Sequence, residues 1–366
     1  MKAMCTKRDL HEGLAAASRV TGKSTLPILM NLLIKTEPGG LEITGYDLEI
    51  GIRRHIPAQV QDEGAFTVSS KILTDIVNAL PDSHVQFSAD SPGNVVLACD
   101  RSSFDLVGLP AEEYPVLPEV GDETQVTLKV GALKSMITQV VFAASPDEAR
   151  AIMTGINLTI KDGAVTMAAT DGHRLAVRNL KVEGLDIEAG AIIPSRALNE
   201  LARILPSDEE ADVVIRLGKN QAQFQVDNTV LVSRLIEGQF PNFERVIPSS
   251  TDKSITMQTA DLAASARRAY IVAKEASNRI ILKTDGEKVI VSADAGGVGR
   301  AREDVEVMRE GDDIEIAFNA KYLLDVLNVL PGEGVRFELT GSLNPGLVRP
   351  VDGTDYIYVI MPMQIV

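Results

Sequence analysis

Apolar residues fall at helical spacing in one segment of the chain, and that segment returns twice more. "SKILTDIVNALP" (70–81), "SRALNELARILP" (195–206) and "AKYLLDVLNVLP" (320–331) align without a gap at one constant offset. Their apolar positions are Leu73, Ile76, Val77 and Leu80, then Leu198, Leu201, Ala202 and Leu205, then Leu323, Val326, Leu327 and Leu330. This is the i, i+3, i+4, i+7 stripe of a helix with one buried face. A proline stops each stripe. In every copy a base precedes an acid by four residues: Lys71 and Asp75, Arg196 and Glu200, Lys321 and Asp325.

A second, less similar helical pattern lies upstream of each copy, at 6–23, 129–145 and 258–274. Between the two patterns run β-like segments such as "GLEITGYDLEIGIRRHI", "GAVTMAATDGHRLAVRNL" and "EKVIVSADAGGVGRAREDV", and more follow the second helix. Each repeat therefore reads helix, strands, helix, strands. That order predicts an α+β fold in which two helices pack against antiparallel sheets. Three such domains divide the 366 residues as 1–121, 122–249 and 250–366, with boundaries in the polar stretches "EVGDETQ" and "PSSTDKS". A period this long is no solenoid unit, so each repeat is expected to own a core.

Composition adds constraints. With 45% hydrophobic and 24% charged residues the chain belongs with folded domains, and with no Trp its cores must be aliphatic. No apolar run is long enough to span a bilayer, and the charged start "MKAMCTKRDL" is unlike a signal peptide, so no membrane contact and a cytoplasmic location are expected. Cys5 and Cys99 read as reduced, packed thiols. The net charge of −15 argues against gripping nucleic acid over the whole surface. Yet the six helical patterns carry +2, 0, +2, +1, +2 and 0 in chain order, a total of +7 that leaves −22 elsewhere. One surface is thus fit to face phosphates while the rest repels them.

Candidate chemistry is sparse. "TGKST" (21–25) resembles the end of a phosphate-binding loop, but Ala17 stands where that loop needs glycine and a helix precedes it, which leaves Lys23 as a backbone-phosphate contact at most. "ATDGHRLAV" (169–177) is the densest polar cluster. It reads as a turn between strands; the alternative, an acid/base or metal site of Asp171, His173 and Arg174, lacks a third convergent ligand. No catalytic residue, metal ligand or cofactor is assigned. The closing "MPMQIV" places two methionines beside aliphatics, a soft surface suited to peptides or a final core strand.

The stretches "TLPILMNLLI", "ATDGHRLAV", "EGQFPNFERVIP", "FNAKYLLDVLNVL" and "YVIMPM" together resemble the bacterial DNA polymerase III β subunit family, the sliding clamps, over the whole chain. The resemblance implies a processivity factor: three clamp domains per chain, two chains head to tail as a homodimeric ring, helices lining a hole that encircles double-stranded DNA without reading its sequence. It implies as partners a clamp loader, the replicative polymerase and other proteins carrying clamp-binding motifs. It further implies a partner-peptide pocket of Arg150, Met153, Thr170, Gly172, His173, Arg174, Leu175, Pro241, Arg245, Val246, Asn319, Tyr322, Leu343, Val359, Met361, Pro362 and Met363. The dimer contact implied is Phe104 and Leu106 against Ile271 and Val272. Lys23, Arg196, Arg203, Arg267 and Arg268 are the expected DNA contacts. The chain departs from the family's common ending at Gln364, Ile365 and Val366, which lack its cation. A peptide-binding scaffold without DNA is the competing reading, and net-positive helix faces favour the clamp over it.

Overall fold

Each repeated stripe forms the helix it predicts. In the computed structural model, which describes residues 1–22, 24–91, 93–121 and 124–365 (the side chains of Asp90 and Ser91 excepted), Leu73, Val77, Leu198, Leu201, Leu323 and Val326 are all fully buried. Ile76, Ala202 and Leu330 are half-buried at the rim of the stripe. The domain boundary expected at 121/122 and the last residue, Val366, lie outside the described residues.

The first repeat runs β1 (Lys2–Thr6), α1 (Lys7–Ala17), β2 (Asn31–Glu37), β3 (Gly40–Tyr46), β4 (Ile50–Pro57), β5 (Gln59–Asp62), β6 (Ala65–Ser69), α2 (Ser70–Ala79), β7 (His84–Ser91), β8 (Asn94–Cys99) and β9 (Ser102–Val107). The second runs β10 (Gln125–Lys129), α3 (Val130–Val140), β11 (Gly155–Lys161), β12 (Ala164–Thr170), β13 (Arg174–Lys181), β14 (Ala189–Pro194), α4 (Ser195–Ile204), β15 (Asp212–Leu217), β16 (Gln221–Val226) and β17 (Thr229–Arg234). The third runs β18 (Lys253–Gln258), α5 (Thr259–Ala273), β19 (Arg279–Asp285), β20 (Lys288–Ala295), β21 (Gly299–Glu306), β22 (Met308–Glu310), β23 (Glu315–Asn319), α6 (Ala320–Leu327), β24 (Gly334–Leu339), β25 (Gly346–Pro350) and β26 (Tyr356–Ile360).

A strand before the first helix of each repeat was not foreseen. In β1, β10 and β18 alternate residues point inward, Ala3 and Cys5, Val126 and Leu128, Ile255 and Met257. Five or six residues carry only two inward positions, too few to stand out as a period before the helical pattern begins. The first helices are also shorter than their patterns. Thr6 Oγ1 accepts the Asp9 amide at 3.1 Å and starts α1, which gives way to a 3₁₀ turn at Ser18–Val20.

Residues Met1–Lys134 and Arg196–Leu235 form one compact unit. Its sheets are ordered β5-β1-β7-β8-β9 and β10-β15-β16-β17-β4-β3-β2-β6. The second sheet is continuous across two repeats because β17 pairs antiparallel with β4, with Leu231 opposite Ile52 and Ser233 opposite Ile50. Cys5 and Cys99 are free thiols in the first repeat's core, among Leu10, Leu14, Phe66 and Phe87, as packed small hydrophobes.

Residues Ser135–Ser195 and Ile236–Val366 form the second unit. Its sheets are β14-β11-β12-β13-β26-β25-β24-β18-β22 and β21-β20-β19-β23. Here β13 pairs antiparallel with β26, Ala176 opposite Tyr358 and Arg174 opposite Ile360. The middle repeat thus lends β17 to one neighbour's sheet and β13 to the other's.

Burial, reinforced by the Asp9 carboxylate, pushes the Cys5 thiol from 9.0 up to about 12. Between these values the unfolded thiol ionises and the folded one does not, so stability held below pH 9 is lost as pH rises toward 12. Urea titrations across pH 8 to 11 are expected to show a steeper alkaline loss for the wild type than for Cys5→Ala.

Candidate functional site

The cluster "ATDGHRLAV" folds as the turn between β12 and β13. Gly172 takes φ +89°, open to glycine without strain, and the Asp171 carboxylate accepts the His173 and Arg174 amides at 2.8 and 3.1 Å. Asp171 also accepts Arg174 Nε at 3.0 Å, so its oxygens are committed to the turn. Arg174 is only 8% exposed. Its Nη1 donates to Asp325 at 2.6 Å and its Nη2 to the Phe142 carbonyl at 2.5 Å, while its guanidinium lies 4.3 Å from the Tyr322 ring centroid and 5.4 Å from that of Phe142. Burial opposes this charge, but Tyr358, Asp325 and Asp171 hold the guanidinium's pKa above the ordinary arginine value. Burial likewise pushes the Tyr358 phenol up. Asp171 is buried and braces the turn with three accepted hydrogen bonds, so the cluster folds as a turn between strands.

Around this clasp the second unit gathers most of the expected pocket. Leu175 and Val359 face each other across the β13–β26 ladder and, with Ala168, Val177 and Leu347, form a buried floor. Phe240, Phe243, Ile247 and Ile357 cover it from above, half-buried. The C-terminal segment is tied in by Met361 N donating to the His173 carbonyl at 2.9 Å and Met363 N donating to that of Ala317 at 2.7 Å. Met361, Pro362, Met363, Met153, Thr170 and Tyr322 are half-buried, whereas Arg150, Gly172, His173, Pro241, Arg245, Val246 and Leu343 are exposed. Leu343 stands 73% exposed, an unspent aliphatic at the edge. Arg150 is steered by the Asp171 carbonyl at 2.8 Å and the Asp147 carboxylate at 3.2 Å. Asn319 caps α6, its Oδ1 accepting the Lys321 amide at 3.0 Å.

Phe240 and Phe243, in edge-to-face contact at 6.3 Å, were not singled out from sequence. Two phenylalanines in an aromatic-poor chain, spaced by "FPNF", were the available signal. Gln364, where the family's cation is absent, offers its carbonyl to Arg279 at 3.0 Å.

The expected DNA contacts lie on or near helix surfaces, and the described ones are exposed. Lys23 is outside the described residues. Arg196 is held by Asp47 at 2.6 Å, Arg203 by Glu200 at 2.9 Å, and Arg268 by both oxygens of Glu303 at 2.9 and 2.6 Å. Arg267 differs. Its Nη2 donates to the neutral Asn328 amide oxygen at 2.6 Å, and no carboxylate among the described residues pairs with it.

Of the expected dimer residues, Phe104 and Leu106 lie on the edge strand β9, whereas Ile271 and Val272 lie at the end of helix α5 and not on a strand. β9 ends one sheet and β21 another. On β9, Phe104 is half-buried against the core, Leu106 is buried and Val107 is 86% exposed; at the end of α5, Ile271 is 62% exposed and Val272 half-buried.

A strand-helix pattern used three times, with the sheet carried from one repeat into the next, is the architecture of a DNA clamp. The chain belongs to the DNA polymerase III beta subunit family. Residues 1–118 match its N-terminal domain, 127–242 its central domain and 244–364 its C-terminal domain. The beta sliding clamps of Staphylococcus epidermidis and Halalkalibacterium halodurans are 34% and 33% identical to it over 355 and 360 residues, covering 94% of each chain. Its structure is similar to the DNA polymerase sliding clamp of Bacillus subtilis, with TM-score 0.96 and 28% identity, and to the DNA polymerase III subunit beta of Pseudomonas aeruginosa, with TM-score 0.94 and 30% identity, each covering 100% of both chains. The protein functions as a DNA sliding clamp.

Breaking a buried ion pair by removing one partner strands the other. Arg174→Met is therefore expected to destabilise the protein by about 3 kcal/mol in urea denaturation. Adding Asp325→Leu is expected to recover part of that loss, because the orphaned carboxylate goes with it.

Proposed function

We propose that two copies close head to tail into a ring around duplex DNA, and that the pocket of the second unit holds partner peptides at its rim. The pairing of the unmatched edges carries this reading. At the inner joints, Ile52 and Ala176 share one rung: each lies on the third strand of a hairpin ladder, opposite Gly45 and Ala169, and faces Leu231 or Tyr358 across the joint. The matching position on β21 is Ala301, opposite Ala293, and on β9 it is Phe104, opposite Leu97 as Leu231 is opposite Phe224.

Setting Ala301 of one copy against Phe104 of another fixes the remaining rungs. Arg300 then faces Asp105, Arg302 faces Ser103 and Asp304 faces Arg101. Opposite charges meet twice, and a slip of one residue loses both pairs. The same correspondence puts Ile271 at the place of Phe142, whose ring packs 5.8 Å from that of Tyr358, and so sets Ile271 over Phe104. Ile271 and Phe104, two of the four dimer residues implied by family resemblance, thus come together, and the edge strands β9 and β21 each gain a partner.

In this reading the chain is a non-catalytic cytoplasmic tether with domains 1–121, 122–249 and 250–366. Exposed arginines touch phosphates without reading bases, which suits sliding. The peptide slot offers aliphatic anchorage at Met361, Met363, Val246 and Leu343 above the Leu175–Val359 floor, with Arg150, His173 and Arg245 for polar groups. Polymerase and clamp-loader segments are the occupants proposed.

Three measurements test this. Ser103→Cys with Arg302→Cys is expected to form an intermolecular disulfide under mild oxidation, and monomer alone would overturn the register. Protein loaded on nicked circular DNA is expected to stay until the circle is cut; retention after cutting would indicate ordinary phosphate binding. Charge reversal at Arg267 is expected to shorten retention more than reversal at Arg268, whose charge Glu303 already offsets, while neither changes binding of a clamp-binding peptide. That peptide's affinity is expected to fall about tenfold or more with Met361→Asp, which places a charge in the apolar slot.

A further inference from the structure

We infer that Gly299 makes the joint between copies a releasable form of the joint within each chain, leaving Asp75 an acceptor without its cation. The inference rests on the head-to-tail reading. Asp75, Glu200 and Asp325 hold one position on the three repeated helices α2, α4 and α6. At both inner joints an arginine of the preceding repeat takes that acid. Arg19 Nε donates to Glu200 at 2.5 Å, and Arg174 Nη1 donates to Asp325 at 2.6 Å.

At the joint between copies the same two places hold other residues. Ile271 stands where Arg19 does. Gly299 stands where Arg174 does, two residues before the rung residue Ala301 as Arg174 is two before Ala176. Ala295, the residue that ladders with Gly299, replaces the Asp171 that braces Arg174. Of the cations nearby, Arg300 is directed to Asp105 in the proposed register, Lys274 lies 3.8 Å from Glu275 of its own chain, and Lys71, one turn before Asp75 on α2, makes no described ion pair with it. Asp75 is exposed, and no described residue pairs with it. Closing the joint therefore dehydrates a carboxylate with no fixed counter-charge, and opening it restores water.

Gly299 itself admits a side chain. A Cβ there meets nothing within 4 Å, and its φ is not among the positive ones. Arg at this position reaches toward the partner's Asp75 as Arg174 reaches Asp325.

Dimer dissociation measured by analytical ultracentrifugation tests this, with melting temperature as the folding control. Gly299→Arg is expected to tighten the dimer about tenfold, the scale of one charge-assisted hydrogen bond, and to slow subunit exchange between labelled dimers. Gly299→Lys is expected to give a smaller gain in the same direction. Adding Asp75→Ala is expected to cancel the gain, while Asp75→Ala alone leaves the dimer as tight or tighter. No gain from either cation in a dimer that still forms the 103–302 disulfide, a gain that survives loss of Asp75, or a weaker dimer from Asp75→Ala alone would each overturn the inference. Absence of the disulfide would instead remove the head-to-tail register on which it stands.

Discussion

Antiparallel pairing between the fourth strand of one repeat and the last strand of the next is the constraint on which the structure depends. It satisfies the backbone donors and acceptors of strands that would otherwise be open edges, and it does so at β4–β17 and at β13–β26 in one register. Because the ladder is made by backbone, the side chains on its rungs are free to differ. Ile52 with Leu231 is aliphatic, whereas Ala176 with Tyr358 is small against large. One joint geometry therefore tolerates different chemistries, and the repeats have diverged in side chain while keeping the rung.

The buried arginine at the second joint shows what that divergence can achieve. Arg174 links a tight turn, the α6 helix and the end of the α3 segment through Asp171, Asp325 and the Phe142 carbonyl. The same turn presents Gly172 and His173 to solvent beside the C-terminal methionines. One buried charge thus ties together a turn, a helix and a segment that come from two repeats.

Much of the helical frame was legible in sequence because an apolar stripe repeated with a fixed offset is hard to produce by chance, and Leu73, Leu198 and Leu323 fell where it placed them. The short strands β1, β10 and β18 were not, since two inward residues make no period. Among site residues, the turn at Asp171 was readable from Asp and Gly alone. The pairing of Arg174 with Asp325 was not, because 151 residues separate the two and only the fold brings them together. Nor could the sequence divide the basic residues by what holds them: Arg267 and Arg268 are neighbours of identical type, yet one faces an amide and the other a carboxylate. The buried floor of Leu175 and Val359 likewise separates from the exposed rim only once the ladder is known.

Those leashes on the arginines bear on friction. A phosphate passing Arg196, Arg203 or Arg268 would take the guanidinium from Asp47, Glu200 or Glu303 and then return it. In the proposed ring the charge would exchange one oxygen partner for another of similar strength, the landscape along the duplex would stay shallow, and such a surface would behave less like an adhesive than like a bearing.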